Sequence, residues 1–237
     1  MEEEIMLRSN IASSVVTIAI VAATGALPGS PSAHAAASDG AGTAAFFFSY
    51  SPKPGEVELF EEGYRRHLSW HEEQDDPLPW YGWTVTSGER VGLFIDASVG
   101  VPFEAFDQRV ELQADIADFA QTTAPFAEPE SRNLYRLRRD LSTGEPLEER
   151  RPSPIVEVPH YVLRPGTELR FAEVLAALAE ALKTLDDAPV HTWYELEVGG
   201  EQPAFMLMVP RSGWADFAPG GGSMAEILTR VHGPEEA

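Results

Sequence analysis

Apolar residues recur at intervals of three and four in two stretches of the chain, at Val57, Phe60, Tyr64 and Leu68 and again at Phe171, Leu175, Leu178 and Leu182. That spacing places each set on one face of a helix. Ahead of each helix lies a β-rich run, Phe46 to Ser51 and Tyr161 to Leu163, followed by a Pro-Gly turn at Pro54-Gly55 and Pro165-Gly166. Behind each lies a predicted hairpin. The first joins Tyr81 to Thr86 with Val91 to Asp96 around Ser87-Gly88-Glu89-Arg90, and the second joins Thr192 to Val198 with Ala204 to Val209 around Gly199-Gly200. Glycine at the tips supplies the positive φ that tight hairpins need. Further helices are expected from Phe103 to Gln121 and from Ser223 to Val231, with a closing strand at Leu134 to Leu141 in the first stretch only.

The two stretches are related by a shift of 111 positions. It superposes Tyr50 on Tyr161, Pro54-Gly55 on Pro165-Gly166, Phe60 on Phe171, Glu62 on Glu173, Asp75-Asp76 on Asp186-Asp187, Gly88 on Gly199, Phe94 on Phe205 and Phe106 on Phe217, without a gap. An internal repeat of this length implies two copies of one structural unit. The order strand, helix, strand, strand, helix is the split βαβ pattern, in which helices cover one face of an antiparallel sheet. Two such sheets in one chain can cover each other's remaining faces. The expectation is therefore an α+β protein of two tandem ferredoxin-like (βαββαβ-type) units packed as an intrachain α+β barrel. The first unit spans 36–141, a Pro-, Gly- and Arg-bearing linker 142–154, and the second unit 155–237.

With that element order and tandem repeat, covering about residues 46 to 231, the chain resembles the dimeric α+β-barrel group of ferredoxin-like proteins, which includes the antibiotic-biosynthesis-type monooxygenases. The resemblance permits a monooxygenase-like or isomerase-like reaction, and the group also includes haem binders and proteins without known activity. The GxxDG-type motif of the dye-decolourising peroxidases, which share a tandem architecture, is missing.

Charge and composition narrow the partners. Lys and Arg number 17 against 38 Asp and Glu, a formal net charge of −21. Such a chain repels phosphate backbones and anionic headgroups, so no nucleic-acid partner is expected. The absence of cysteine removes disulfides, thiolate metal sites and thiol nucleophiles together. Arg8, the apolar stretch Ile11 to Leu27 and the small-residue site Ala33-His34-Ala35 read as an export signal over residues 1–35, leaving a periplasmic or extracellular protein with no membrane contact after cleavage. The acidic start, Glu2 to Glu4, departs from the usual positive beginning and points to Met6 as the true start.

Candidate chemistry comes from where the two stretches differ. At the 111-residue shift, His67 stands where Leu178 stands, His71 where Leu182 stands and Asp96 where Leu207 stands; Gly63 faces Val174 and Tyr64 faces Leu175. His67 and His71 are four apart, so a helix turns both to the face that carries Phe60 and Tyr64. Asp96 shares its strand face with Phe94, and the spacing leaves open whether that face meets the helices or the other sheet; in the helix-facing case the three polar groups converge. A pocket is expected there, with His67, His71 and Asp96 as catalytic groups, Gly63 leaving space, and Tyr64, Trp80, Tyr81, Trp83 and Phe94 as its lining. Three readings of the trio stand side by side. Two histidines and a carboxylate suit a metal, with His67, His71 and Asp96 as ligands. The same groups suit a metal-free general base oriented by Asp96. Or the histidines sit at the solvent end of their helix in ion pairs with Glu72, Glu73, Asp75 and Asp76.

Other motifs are missing: no Gly-x-Ser-x-Gly nucleophile elbow, no phosphate-binding loop and no dinucleotide fingerprint at Gly220-Gly221-Gly222. ATP and NAD are not expected; no cofactor is the first expectation, with a metal or haem as the options. The cluster Arg136, Arg138, Arg139, Arg150 and Arg151 is expected to balance nearby acids. The function expected is an exported α+β-barrel protein with a small-molecule pocket in the first unit, either an enzyme, monooxygenase-like or isomerase-like, or a binder of an apolar or aromatic compound. The alternative is a non-catalytic ligand-binding or protein-interaction module of the cell envelope.

Overall fold

The computed structural model describes residues 13–19, 42–147, 152–186 and 188–218. Eight strands, β1 (Ser13–Ala19), β2 (Ala44–Pro52), β3 (Tyr81–Ser87), β4 (Phe94–Val101), β5 (Ala127–Thr143), β6 (Ile155–Val162), β7 (His191–Val198) and β8 (Ala204–Arg211), pair throughout with antiparallel neighbours. They close into a barrel in the order β1-β3-β4-β2-β5-β7-β8-β6. Among the described residues three helices accompany them: α1 (Val57–Glu73), α2 (Leu112–Thr122) and α3 (Glu168–Lys183).

Alternation along the strands sorts side chains between the barrel interior and its outer face. Ala45 and Phe47 of β2, Trp83 and Val85 of β3, and Ala97 and Val99 of β4 join Tyr135, Val156, Val158, Tyr194, Met206 and Met208 in one interior core. Each fully buried side chain of this size stabilises the fold by roughly 1.5–3 kcal/mol. The opposite face of β2 and β4 meets α1, where Tyr50, Phe60 and Ala127 pack with Phe48, Phe94 and Phe119. On the far side of the barrel α3 covers Leu141, Trp193 and Phe205.

The element bounds recur at the interval seen in the sequence. Shifted by 111 residues, β2 falls on β6, α1 on α3, β3 on β7 and β4 on β8 within a residue or two, and the 3-10 turn Phe103–Phe106 falls on Trp214–Phe217. Gly55 and Gly166 share positive φ values of 81° and 87° in the turn before each helix. The expected helix Ser223 to Val231 lies outside the described residues, as do Arg150 and Arg151.

Several expectations are corrected. The helix expected from Phe103 to Gln121 is broken into the 3-10 turn and α2, because the Glu111 carboxylate accepts the Ala114 N–H at 2.7 Å and starts a fresh helix there. The closing strand is β5, which reaches Thr143 and so takes up the start of the expected linker. Val57, expected on the buried face of α1, is exposed. An addition to the expected strands is β1 (Ser13–Ala19), which lies within the apolar stretch read as an export signal and pairs on one side with β6 and on the other with β3.

Candidate functional site

α1 turns Phe60, Gly63, Tyr64, His67 and His71 inward, a stripe at helical spacing whose upper end is aromatic and whose lower end is imidazole. His67 and His71 are 5% and 4% exposed, and Asp96, reaching out from β4 beneath the helix, is 4% exposed. The two histidines therefore do not face solvent; of the acids expected beside them Asp76 pairs with His71, while Glu72, Glu73 and Asp75 are exposed. At the shifted positions of the other stretch, Leu178 and Leu182 are buried and Leu207 packs with Phe205 and Trp193.

A cavity of about 250 Å³ lies between α1, α2 and the outer face of the sheet. His67, His71 and Asp96 all line it, with Tyr64 and Trp80. The remaining expected lining residues go elsewhere. Gly63 opens no space in the cavity; a Cβ there would stand 2.0 Å from the Thr122 carbonyl oxygen, so the glycine lets α1 and α2 approach. Tyr81 and Trp83 point into the barrel, stacked at 6.1 Å, because β3 alternates them away from the helices. Phe94 packs edge-on to Phe60 and Tyr64, at 5.1 and 4.7 Å, under α1 and beside the cavity.

The charged neighbours come mainly from α2 and from the turn after α1. Asp118 Oδ2 lies 2.7 Å from His67 Nδ1, and Asp76 Oδ2 lies 2.6 Å from His71 Nδ1. The two Nε2 atoms face each other at 3.1 Å. Asp115 Oδ1 lies 3.3 Å from His67 Nε2 and 3.5 Å from His71 Nε2, while its other oxygen pairs with Arg109. The His67, His71 and Asp115 donor atoms all fall within 4.8 Å of one another, so the carboxylate that joins the histidines is Asp115, where Asp96 was expected. Asp76 is anchored in turn by the Trp80 indole N–H at 3.0 Å and the Leu78 N–H at 3.2 Å. Rings close the arrangement, with Trp70 stacked parallel on His67 and Trp80 packed 5.2 Å from His71.

Asp96 stands apart from this cluster. It accepts the Tyr64 hydroxyl, and its Oδ1 has no hydrogen-bond partner among the described residues. Burial pushes its carboxyl up to about 7, against the pull of the Tyr64 hydrogen bond and of His67 and His71. Tyr64 is raised well above the usual phenol range by its own burial and by Asp96. Burial lowers His67 despite the hydrogen bond to Asp118. Burial also works to raise Asp76, but hydrogen bonds from His71, Trp80 and Leu78 outweigh it and leave the carboxyl below its ordinary value. At the cavity's rim Arg132 lies 5.7 Å over the Phe48 ring, and no carboxylate pairs with it among the described residues.

Asp115, Asp118, Arg109 and Arg132 were not singled out in the sequence. Asp115 carried a signal, since it shares the α2 face of Leu112 and Phe119, where an apolar residue belongs. Of the arginine cluster, Arg136 pairs with Glu197 and Arg138 with Asp140 and Glu195, the latter two at 2.7 Å, and Arg139 donates to the Gly42 carbonyl. Among the described residues no helix is long and apolar enough to cross a membrane.

No protein-family model matches the chain, and no curated protein matches it in sequence. Among solved structures, one described as that of a candidate chlorite dismutase is similar, with a TM-score of 0.48 and 12% sequence identity over 81% of this chain and 87% of that one.

Proposed function

We propose that the protein is an exported enzyme built of two ferredoxin-like halves, the first of which binds an apolar or aromatic small molecule bearing an anionic group and moves a proton on it. The observation that carries this reading is Asp96: a buried carboxylate lining an aromatic cavity, with one oxygen left without a partner. Leaving such a group unsatisfied costs stability, and a barrel needs none there, as the leucine at position 207 of the other stretch illustrates. The common interval of 111 residues between corresponding elements supports the two-halves reading.

Aromatic walls from Phe48, Tyr50, Trp80 and Phe119 suit a ring, and Arg132 at the rim suits a carboxylate. Asp96 takes a proton from a substrate carbon beside a carbonyl, the electron pair of the broken C–H bond passes into that carbonyl, and return of the proton to the other end of the enolate completes an isomerase-like exchange. Tyr64 holds the carboxylate in place by its hydrogen bond. Phenylpyruvate, an aromatic 2-keto acid, is a suitable probe. Metal-stripped full-length protein is expected to bind it in calorimetry, with binding lost in Ala120→Trp, which narrows the cavity. Washout of its C3 hydrogens in D₂O is expected to be accelerated and to fall about 10²- to 10⁴-fold in Asp96→Asn. Failure to bind phenylpyruvate, or equal washout by wild type and Asp96→Asn, sinks the reading.

A further inference from the structure

Charge in the cavity floor does not balance. Asp76, Asp115 and Asp118 bring three carboxylates to the two histidines, and Arg109 supplies one guanidinium, paired to Asp115. The side chains of Asp76 and Asp115 are 2% and 9% exposed, too buried for water to screen the excess.

The hydrogen-bond roles sharpen the problem. Asp118 accepts the hydrogen of His67 Nδ1 at 2.7 Å, and Asp76 Oδ2, 2.6 Å from His71 Nδ1 as an ion-pair contact outside hydrogen-bond geometry, draws that ring's hydrogen to the same side. Both Nε2 atoms are then left with lone pairs, and these face each other at 3.1 Å with Asp115 Oδ1 at 3.3 and 3.5 Å as a third acceptor. Three buried acceptors pointed at one place repel unless a proton or a metal cation lies among them.

The spacing fits a metal ion. With metal–ligand bonds of about 2.0–2.1 Å, neighbouring donor atoms lie about 3.0 Å apart in an octahedron and about 3.4 Å apart in a tetrahedron. The observed edges of 3.1, 3.3 and 3.5 Å describe one such triangular face. Asp118 and Asp76 stand where a second layer of carboxylates orients ligating histidines. The three ligands come from two elements already clamped together, since Gly63 lets α2 settle on α1.

We infer that His67 Nε2, His71 Nε2 and Asp115 Oδ1 form a binding site for a first-row divalent transition metal, with its remaining coordination positions opening into the cavity. Two imidazoles and one carboxylate select zinc, iron or cobalt over calcium and magnesium, which favour all-oxygen sets. An ion there would offer the cavity's ligand an electrophile. Asp96 is a neighbour of the site, outside its ligand set. The inference deepens the small-molecule reading, and rests on it only for what fills the open positions.

The experiment titrates metal-stripped full-length protein with Co²⁺ and follows ligand-field absorption, with zinc competition as a second readout. One equivalent is expected to bind, with bands that zinc abolishes. His71→Gln is expected to lose the bands, Asp96→Asn to keep them, and Asp118→Asn to weaken binding 10- to 100-fold with an unchanged circular dichroism spectrum. The Asp118 variant keeps the test decisive should His71→Gln fail to fold. Absence of bands in folded wild type, wild-type affinity in His71→Gln or in Asp118→Asn, or loss of bands in Asp96→Asn overturns the assignment. Phenylpyruvate binding by metal-stripped protein is read separately, so a failed metal site and a failed cavity give different results.

Discussion

Asp96 illustrates what a single residue costs and what it is kept for. Its carboxyl is raised from the ordinary aspartate range to about 7 by burial, so the folded chain holds a proton there that the unfolded chain releases above about pH 4. Between these limits the folded state binds more protons, and stability attributable to this group falls as pH rises, reaching its low plateau above pH 7. Asp96→Asn keeps an acceptor for Tyr64 and removes the charge. In metal-stripped protein it is expected to raise unfolding free energy by roughly 1–4 kcal/mol at pH 8 and by little at pH 4, measured by urea denaturation. Equal effects at both pH values would contradict the assignment. The residue was legible in the sequence because its counterpart is Leu207. Asp76 was named beside the histidines only as a surface partner and Asp118 was not singled out, since acidic side chains near helix ends and on helix surfaces are ordinary; only the packing of α2 against α1 brings Asp115 and Asp118 to the imidazoles.

At the scale of elements, periodicity carried most of the way. α1, α3 and the strands β2, β3, β7 and β8 fall close to their apolar patterns, because each buries one face. The division before α2 was hidden, because the break depends on a glutamate acting as cap, a residue type with weak positional preference. Which face of β3 meets which neighbour was hidden too, and with it the destinations of Tyr81 and Trp83; alternation gives two faces without naming them. β1 raises a separate matter. It fills the slot between β3 and β6, yet it belongs to the segment that export would remove. Cleavage after Ala35 would leave β3 and β6 each with an unpaired edge, which favours pairing with other strands. A chain beginning at Ala36 is accordingly expected to unfold at a lower temperature than the full chain and to self-associate more in sedimentation velocity. Unchanged behaviour would show that β1 adds nothing to the barrel.

For the whole molecule, the central feature is asymmetry between two similar stretches. One side of the barrel carries α3 over leucine, tryptophan and phenylalanine, a packing that suits structural support alone. The other side carries α1 and α2 over a cavity with buried acids and imidazoles. A closed barrel can hold that polar cluster because its interior core is apolar and independent of it. The overall α+β architecture was legible from element order and the internal shift, whereas the closure by β1 had no sequence pattern of its own. Binding is therefore expected to be one-sided. The most direct measurement is a ¹H–¹⁵N correlation spectrum of the full chain titrated with phenylpyruvate. The account predicts shifts that saturate and are confined to α1, α2 and the neighbouring parts of β2 and β4. Shifts centred on α3 and β8, or none at millimolar ligand, would contradict it.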